Sequence, residues 1–193
     1  VVLDATTQTT NQGNTNVGTL GAGGTVGTDG LTLSQVNRSE IELVATSYVV
    51  SLLDVNANNV TIRGLTLRGN AEQAVLLQNN VTGALIEQNI IGTGSTSLTD
   101  PGSGNRISYL IRSFGGDNTT VRKNVLAFGS FTGVQLSSAS NNWTIQNNQI
   151  LDIGLGNDNS DGIAIGDSNN TLIRGNRITG TSPQAIIASG TSS

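Results

Sequence analysis

A chain of 193 residues with a formal net charge of −4 is long enough for one domain with a real core, and its charge is too modest for intrinsic disorder. One lysine, Lys123, and eight scattered arginines argue against nucleic-acid binding through phosphate neutralisation. Histidine and cysteine are absent, which removes disulfides, thiolate metal sites and the Ser-His and Cys-His nucleophile systems.

In chain order, "VVLDA" at 1–5 reads as a strand, and the polar, Gly-rich segment 5–30 as a cap folded over the first turn. "DGLTL" at 29–33 matches "DGIAI" at 161–165, and "EIELV" at 40–44 with Leu52 or Leu53 supplies the strands of another turn. A repeat then sets in: "ANNVTIRGLTLRG" at 57–69, "DNTTVRKNVLAFG" at 117–129, "SNNWTIQNNQILD" at 140–152 and "SNNTLIRGNRITG" at 168–180. Superposed on Ile62, Ile86, Val121, Ile145 and Ile173, the copies are separated by 24, 35, 24 and 28 residues. The basal repeat is therefore about 24 residues, with insertions near 94–106 and 154–160.

Five residues after each anchor stands an aliphatic side chain, Leu67, Ile91, Leu126, Ile150 or Ile178. Three residues after it stands Asn89, Asn124, Asn148 or Asn176, with Leu65 in the remaining copy. A second strand follows: Val75-x-Leu77, Val134-x-Leu136, Ile163-x-Ile165 and Ile186-x-Ala188 alternate with period two, as one buried face requires. In "RISYLIRS" at 106–113 the inward position is open between Leu110 and Ile111. Gly and Asn interrupt every helical pattern, so no helix is expected.

A unidirectional repeat of this length is explained by stacking each copy on the last with parallel pairing. The expected fold is all-β: a right-handed parallel β-helix of about seven turns, the first incomplete, forming a single domain over 1–193. Residues 1–30 hold the N-terminal strand and cap, and 31–193 the stacked turns. The recurrent Asn is expected to take the left-handed conformation at a corner and to hydrogen-bond its equivalent one turn away. The polar pairs Asn58-Asn59, Asp117-Asn118, Asn141-Asn142 and Asn169-Asn170 mark the turn leading into each strand.

The repeat "NNxTIRGNxI…GIxI" resembles the β-helix repeats of the pectin-lyase-like superfamily. The first residues with "DGLTL" are similar to β-helix segments of large secreted or cell-surface bacterial proteins. The resemblance implies the fold and an extracellular or cell-surface location, but no single activity. "NSDGI" is similar to the Asn-Thr-Asp motif of polygalacturonase-type glycosidases, with Asp161 as the matching carboxylate. The adjacent Asp pair, Gly-His-Gly and Arg-x-Lys of that pattern are missing. For a lyase, Arg112, Arg122 and Lys123 offer positive charge, and the carboxylates Asp54, Asp117, Asp152 and Asp161 are expected to come from different turns.

Asn157, Asn159 and Asp161, followed by Gly162, have the oxygen spacing of a weak calcium loop, and no other cofactor is expected. Sequons place candidate glycosylation at Asn37, Asn59, Asn80, Asn118, Asn142 and Asn169. For sugar stacking the sequence offers Trp143, Tyr48 and Tyr109, a thin platform. No apolar run approaches the roughly 20 residues that span a bilayer.

The ends carry no amphipathic helix. This leaves two expectations: neighbouring turns of a longer chain cover the open strand edges, or identical chains stack head to tail into a fibre. The functional expectation is a non-enzymatic structural or adhesive β-helix. The alternatives are a carbohydrate-active enzyme, lyase or glycoside hydrolase, or a glycan-binding module.

Overall fold

The computed structural model describes residues 1–28, 30–33, 35–155 and 160–190. Short strands rich in Ile, Val, Leu and Thr, separated by Gly and Asn turns, wind into parallel coils with three faces. The first face is a six-stranded sheet ordered Val2–Asp4, Thr61–Arg63, Leu85–Glu87, Thr120–Arg122, Thr144–Gln146 and Leu172–Arg174. Its register pairs Ile62, Ile86, Val121, Ile145 and Ile173 in succession, the same residues that anchor the sequence repeat. Leu3 extends this file by one coil, pairing with Ile62 across a separation filled by residues 5–60.

The second and third faces form one ten-stranded sheet, because Ile41–Val55 and Leu65–Leu77 run unbroken through the bend between them. On the second face the inward file is Leu43, Leu67, Ile91, Leu126, Ile150 and Ile178. On the third it is Leu53, Val75, Ile111, Val134, Ile163 and Ile186. Ile111 thus holds the register position and Leu53 is the partner of Val75, while Leu110 is also fully buried. The three files meet in one continuous apolar core. Truncating a buried Ile or Leu in such a core typically costs about 2–5 kcal/mol.

Between the first and second faces the chain turns a corner with its backbone groups facing inward, where they need partners. Asn124 is 1% exposed and meets this need. Its Nδ2 donates to Ile86 O at 2.9 Å, and its Oδ1 accepts from the Asn89 backbone N–H at 2.9 Å. Its own N–H and Nδ2 donate to Asn148 Oδ1, both at 3.0 Å. Asn148 repeats the pattern onto Asn176, and Asn89 Oδ1 accepts from Leu65 N–H where the file ends. The left-handed residue at this corner is the one before each asparagine: Gly64, Gln88, Lys123, Asn147 and Gly175, with φ of 55–71°. Sequence reasoning assigned that conformation to the buried asparagine; the structure gives the asparagine the hydrogen bonds and its predecessor the strained backbone.

A second set of polar files marks the leading turn. Asn58 Oδ1 accepts from Thr82 N–H, Asp117 Oδ1 from Asn141 N–H and Asn141 Oδ1 from Asn169 N–H. The left-handed residues here are Asn59, Gly83, Asn118, Asn142 and Asn170.

The N-terminal segment departs from expectation in two ways. Helix α1 (Thr6–Gln12) follows the first strand, where no helix was expected. It is polar on all sides and too short to leave a periodic apolar signal, and Asp4 Oδ1 accepts the Thr6 N–H at its start. Segment 19–37 is not a cap over the end of the coils, nor does "DGLTL" contribute a coil strand. Thr19–Leu20 pairs antiparallel with Val36–Asn37, and Thr25–Val26 with Leu31–Thr32. This hairpin lies along the outer side of the second face. Ile90 and Val125 point outward there, and Leu20 and Val36 cover them. Farther along, Ala22 N–H donates to Gln149 Oε1 at 2.6 Å and Asn147 Nδ2 to Thr32 O at 2.6 Å.

The outer file of the first face carries alternating charge: Asp4, Arg63, Glu87, Arg122, then Gln146 and Arg174. Glu87 sits between two arginines, 3.7 Å from Arg63 and 2.8 Å from Arg122. The hydrogen bond from Arg63 holds the Asp4 carboxyl down at about 2, against an ordinary 3.8.

Two predictions follow from these contacts. Asn124→Ala orphans the Asn89 N–H and the Ile86 carbonyl in the interior, so urea unfolding should report a loss of about 2–4 kcal/mol. Asp4 is depressed in the fold, so its contribution is present above pH 3.8 and fades as pH falls toward 2. Arg63 is 39% exposed, and solvent screening limits the effect to about 1 kcal/mol. Asp4→Asn should therefore be about 1 kcal/mol less stable at pH 6, with the gap closing between pH 4 and 2.

Candidate functional site

The outer side of the third face gathers four of the six aromatic residues: Tyr48, Tyr109, Phe114 and Phe131. Strand Tyr109–Phe114 places Tyr109, Arg112 and Phe114 outward while Ile111 and Ser113 point into the core. The Arg112 guanidinium lies 4.0 Å from the Tyr109 ring centre and 4.4 Å from that of Phe114. Phe131 packs at 5.1 Å from Tyr109 in a tilted pair. Glu72 orients the cation: its Oε1 accepts from Arg112 Nη1 at 3.2 Å, and its Oε2 accepts from Tyr48 Oη at 3.2 Å. The aromatic rings and the guanidinium thus form one linked, partly open surface.

Beside it stand two acceptors without hydrogen-bond partners among the described residues, Gln135 Oε1 and Asp161 Oδ1. Gln135 is level with Arg112 on the next strand, and Asp161 begins the strand beyond. Burial pushes the Asp161 carboxyl above the ordinary carboxylate range. Its lateral neighbours are Thr132 and Gln184, neither of them a carboxylate. Tyr109 follows directly on the 94–106 insertion, whose Arg106 pairs with Asp100 and donates to Leu155 O at 2.8 Å. Arg106 thus ties the 94–106 insertion to Leu155, at the corner between the second and third faces.

Among known families, residues 48–193 match the right-handed β-helix region. The chain belongs to the right-handed β-helix family. No curated protein and no solved structure matches it.

The β-helix disperses most of the residues that sequence reasoning grouped as lyase candidates. Arg112 lies on the third face, Arg122 is bound to Glu87 on the first, and Lys123 sits at the asparagine corner. Asp117 belongs to the leading turn and Asp152 to the corner after the second face. Asp54 shares the outer file of Arg112 but is separated from it by Leu76, and accepts from Gln78 and Asn56. Of the calcium-loop candidates, Asn157 and Asn159 lie outside the described residues. Among the described residues no group of three or more acidic side chains is placed to hold a metal ion.

All six sequon asparagines, at 37, 59, 80, 118, 142 and 169, are exposed. Asn118 Nδ2 is engaged with Thr82 Oγ1 at 2.9 Å, and Asn169 Nδ2 with Asn141 Oδ1 at 3.3 Å. Trp143, offered by the sequence as a sugar-stacking residue, is fully buried and donates from Nε1 to Gly116 O at 2.6 Å. It precedes the strand at an inward position, where a large ring fills the core. The surface that does form was missed because Phe114 and Phe131 belong to no repeated motif. Only the three-dimensional register brings them beside Tyr109. No helix among the described residues is long and apolar enough to cross a membrane.

The raised Asp161 carboxyl is destabilising when ionised, so the fold is favoured at low pH and penalised as pH rises through the unfolded value. Asp161→Asn should be more stable than the wild type at pH 7, and thermal melts should show the difference vanishing below about pH 4.

Proposed function

We propose that this β-helix is a non-catalytic adhesive protein of the cell surface or extracellular space, and that its third face binds glycans. The observation that carries the reading is the joined surface of Tyr109, Arg112, Phe114 and Phe131, flanked by the unpartnered acceptors of Gln135 and Asp161. Sugar rings present apolar C–H faces that stack on aromatic planes. A rigid sheet holds these groups at fixed spacing, which lowers the ordering cost of binding. Glu72 neutralises Arg112, so the surface suits neutral or weakly acidic polysaccharides better than highly charged ones.

One observation favours a carbohydrate-active enzyme instead. A general acid requires a carboxyl whose proton is favoured by its surroundings, and burial shifts the Asp161 carboxyl in that direction. Against it, glycoside hydrolysis places two carboxyl groups about 5–9.5 Å apart across the bond, and the strands beside Asp161 carry Thr132 and Gln184.

Binding to a panel of neutral and acidic polysaccharides, with and without calcium, tests the reading. Tyr109→Ala and Arg112→Ala should each weaken the bound glycan at least about tenfold while leaving the fold intact. Release of reducing ends or unsaturated sugars, lost in Asp161→Asn, would replace the adhesive reading with the enzymatic one. Binding to no polysaccharide at all would remove both.

A further inference from the structure

We infer that a cavity beside the asparagine corner binds a small hydroxy acid, a molecule with one carboxylate and hydroxyls next to it. The site is independent of the aromatic surface on the third face.

The cavity exists because the chain leaves the solenoid at this corner. Elsewhere the turn from the first face to the second is short: Gly64 alone separates Arg63 from Leu65, and Gln88 and Asn89 separate Glu87 from Ile90. Between Asp4 and Ile41 the chain instead runs out through helix α1 and returns through residues 37–40. The outgoing and returning segments enclose a space of about 190 Å³, lined by Thr9, Thr10, Asn37, Arg38, Glu40 and Gln88. The lining also includes Gly64, and Gly64 and Gln88 are corner residues of two successive coils, so the cavity runs along the flank of the solenoid.

Its walls are fixed before any ligand arrives, which lowers the ordering cost of binding. The Arg38 backbone N–H donates to Gly18 O at 3.0 Å, and Asn16 Nδ2 donates to Ser39 O at 2.9 Å. Glu40 Oε1 accepts from the backbone N–H groups of Thr15 and Asn16, both at 2.9 Å, and its Oε2 accepts from Thr15 Oγ1. These donors, the Thr15 hydroxyl foremost, hold the Glu40 carboxyl below its ordinary range and engage both of its oxygens. On the opposite wall the Thr6 hydroxyl donates to Asp4 Oδ1 at 2.6 Å, and Ala5 N–H to Arg63 O at 3.0 Å.

Arg38 supplies the charge. Three arginines form no ion pair among the described residues; Arg174 and Arg177 are exposed, whereas Arg38 is half-buried. Its Nη1 donates to Val17 O at 3.2 Å, its Nε is buried without a partner, and its Nη2 donates to none of the described residues. A half-buried guanidinium held only by a neutral carbonyl lacks the anion that normally compensates its desolvation. Around it the side chains of Thr9, Thr10, Asn37 and Gln88 are exposed and offer hydroxyls and amides.

These groups select the ligand. The Nη2 edge suits a carboxylate oxygen. Glu40 stands in the same wall as an ionised carboxylate, so a single negative charge is accepted and a dianion is repelled. Hydroxyls and amides both donate and accept, which matches the hydroxyls of a sugar-like molecule. No aromatic side chain is among the lining residues, so flat rings find nothing to stack on. The volume lies below the roughly 300–1,000 Å³ of pockets for drug-sized ligands and limits the occupant to one unit. That unit is a free acid or the acidic end of a longer saccharide.

Titration calorimetry with gluconate, with glucose and with lactobionate, a gluconate carrying one further sugar, tests the inference. Gluconate should bind once per chain, at least about tenfold more tightly than neutral glucose. Arg38→Gln should weaken it at least about tenfold. Should that variant fail to fold, Thr10→Trp places a bulky ring in the cavity from an exposed helical position, and should remove binding with the thermal melt unchanged. Tyr109→Ala should bind gluconate as the wild type does, whatever becomes of polysaccharide binding on the third face. Lactobionate binding as tightly as gluconate assigns the site to a chain end, and gluconate alone assigns it to the free acid. Absence of gluconate binding, equal binding of glucose, wild-type binding in folded Arg38→Gln or Thr10→Trp, or loss of binding in Tyr109→Ala would each overturn the inference.

Discussion

The structure depends on one constraint: a backbone that turns inward at the same corner of successive coils must find hydrogen-bond partners inside the core. The stacked amides of Asn89, Asn124, Asn148 and Asn176 satisfy it. An amide side chain can donate to a carbonyl on one side and accept an N–H on the other. Satisfying the corner fixes the axial offset between coils, and that offset sets the register of every other file. Inward aliphatics then align with aliphatics, and the core becomes a set of columns.

Once the register is fixed, outward residues also fall into columns, and their chemistry differs from face to face. The first face carries alternating acids and arginines. The second has an apolar stretch at Ile90 and Val125 that the N-terminal hairpin covers. The third is left open and gathers the aromatic groups around Arg112. The proposed recognition surface uses the open flank of this lattice.

The repeat was legible because it rests on short-range pattern: the anchors from Ile62 to Ile173 recur at spacings that translate directly into coils, and pairing follows them residue for residue. What was illegible had no repeated signal. Helix α1 is polar on all sides, and the hairpin at 19–37 imitates a coil strand in its "DGLTL" wording. Its true role depends on two outward apolar residues, Ile90 and Val125, that lie 53 or more positions away. The burial of Trp143 follows from its inward file, while composition alone suggested a surface ring. For the candidate site, Tyr109 and Asp161 were recognisable as single residues; their relation through Arg112, Phe131 and Gln135 exists only across strands.

The hairpin also bears on how the chain comes together. Coils can add one after another, each needing only its predecessor, which is a process dominated by local contacts. The bond from Ala22 to Gln149 spans 127 positions and has no such sequence of small steps. Segment 19–37 therefore emerges early from synthesis yet finds its full seat only after the coil containing Gln149 has been laid down. The hairpin closes over a finished flank, so its docking reports on the completion of the solenoid beneath it.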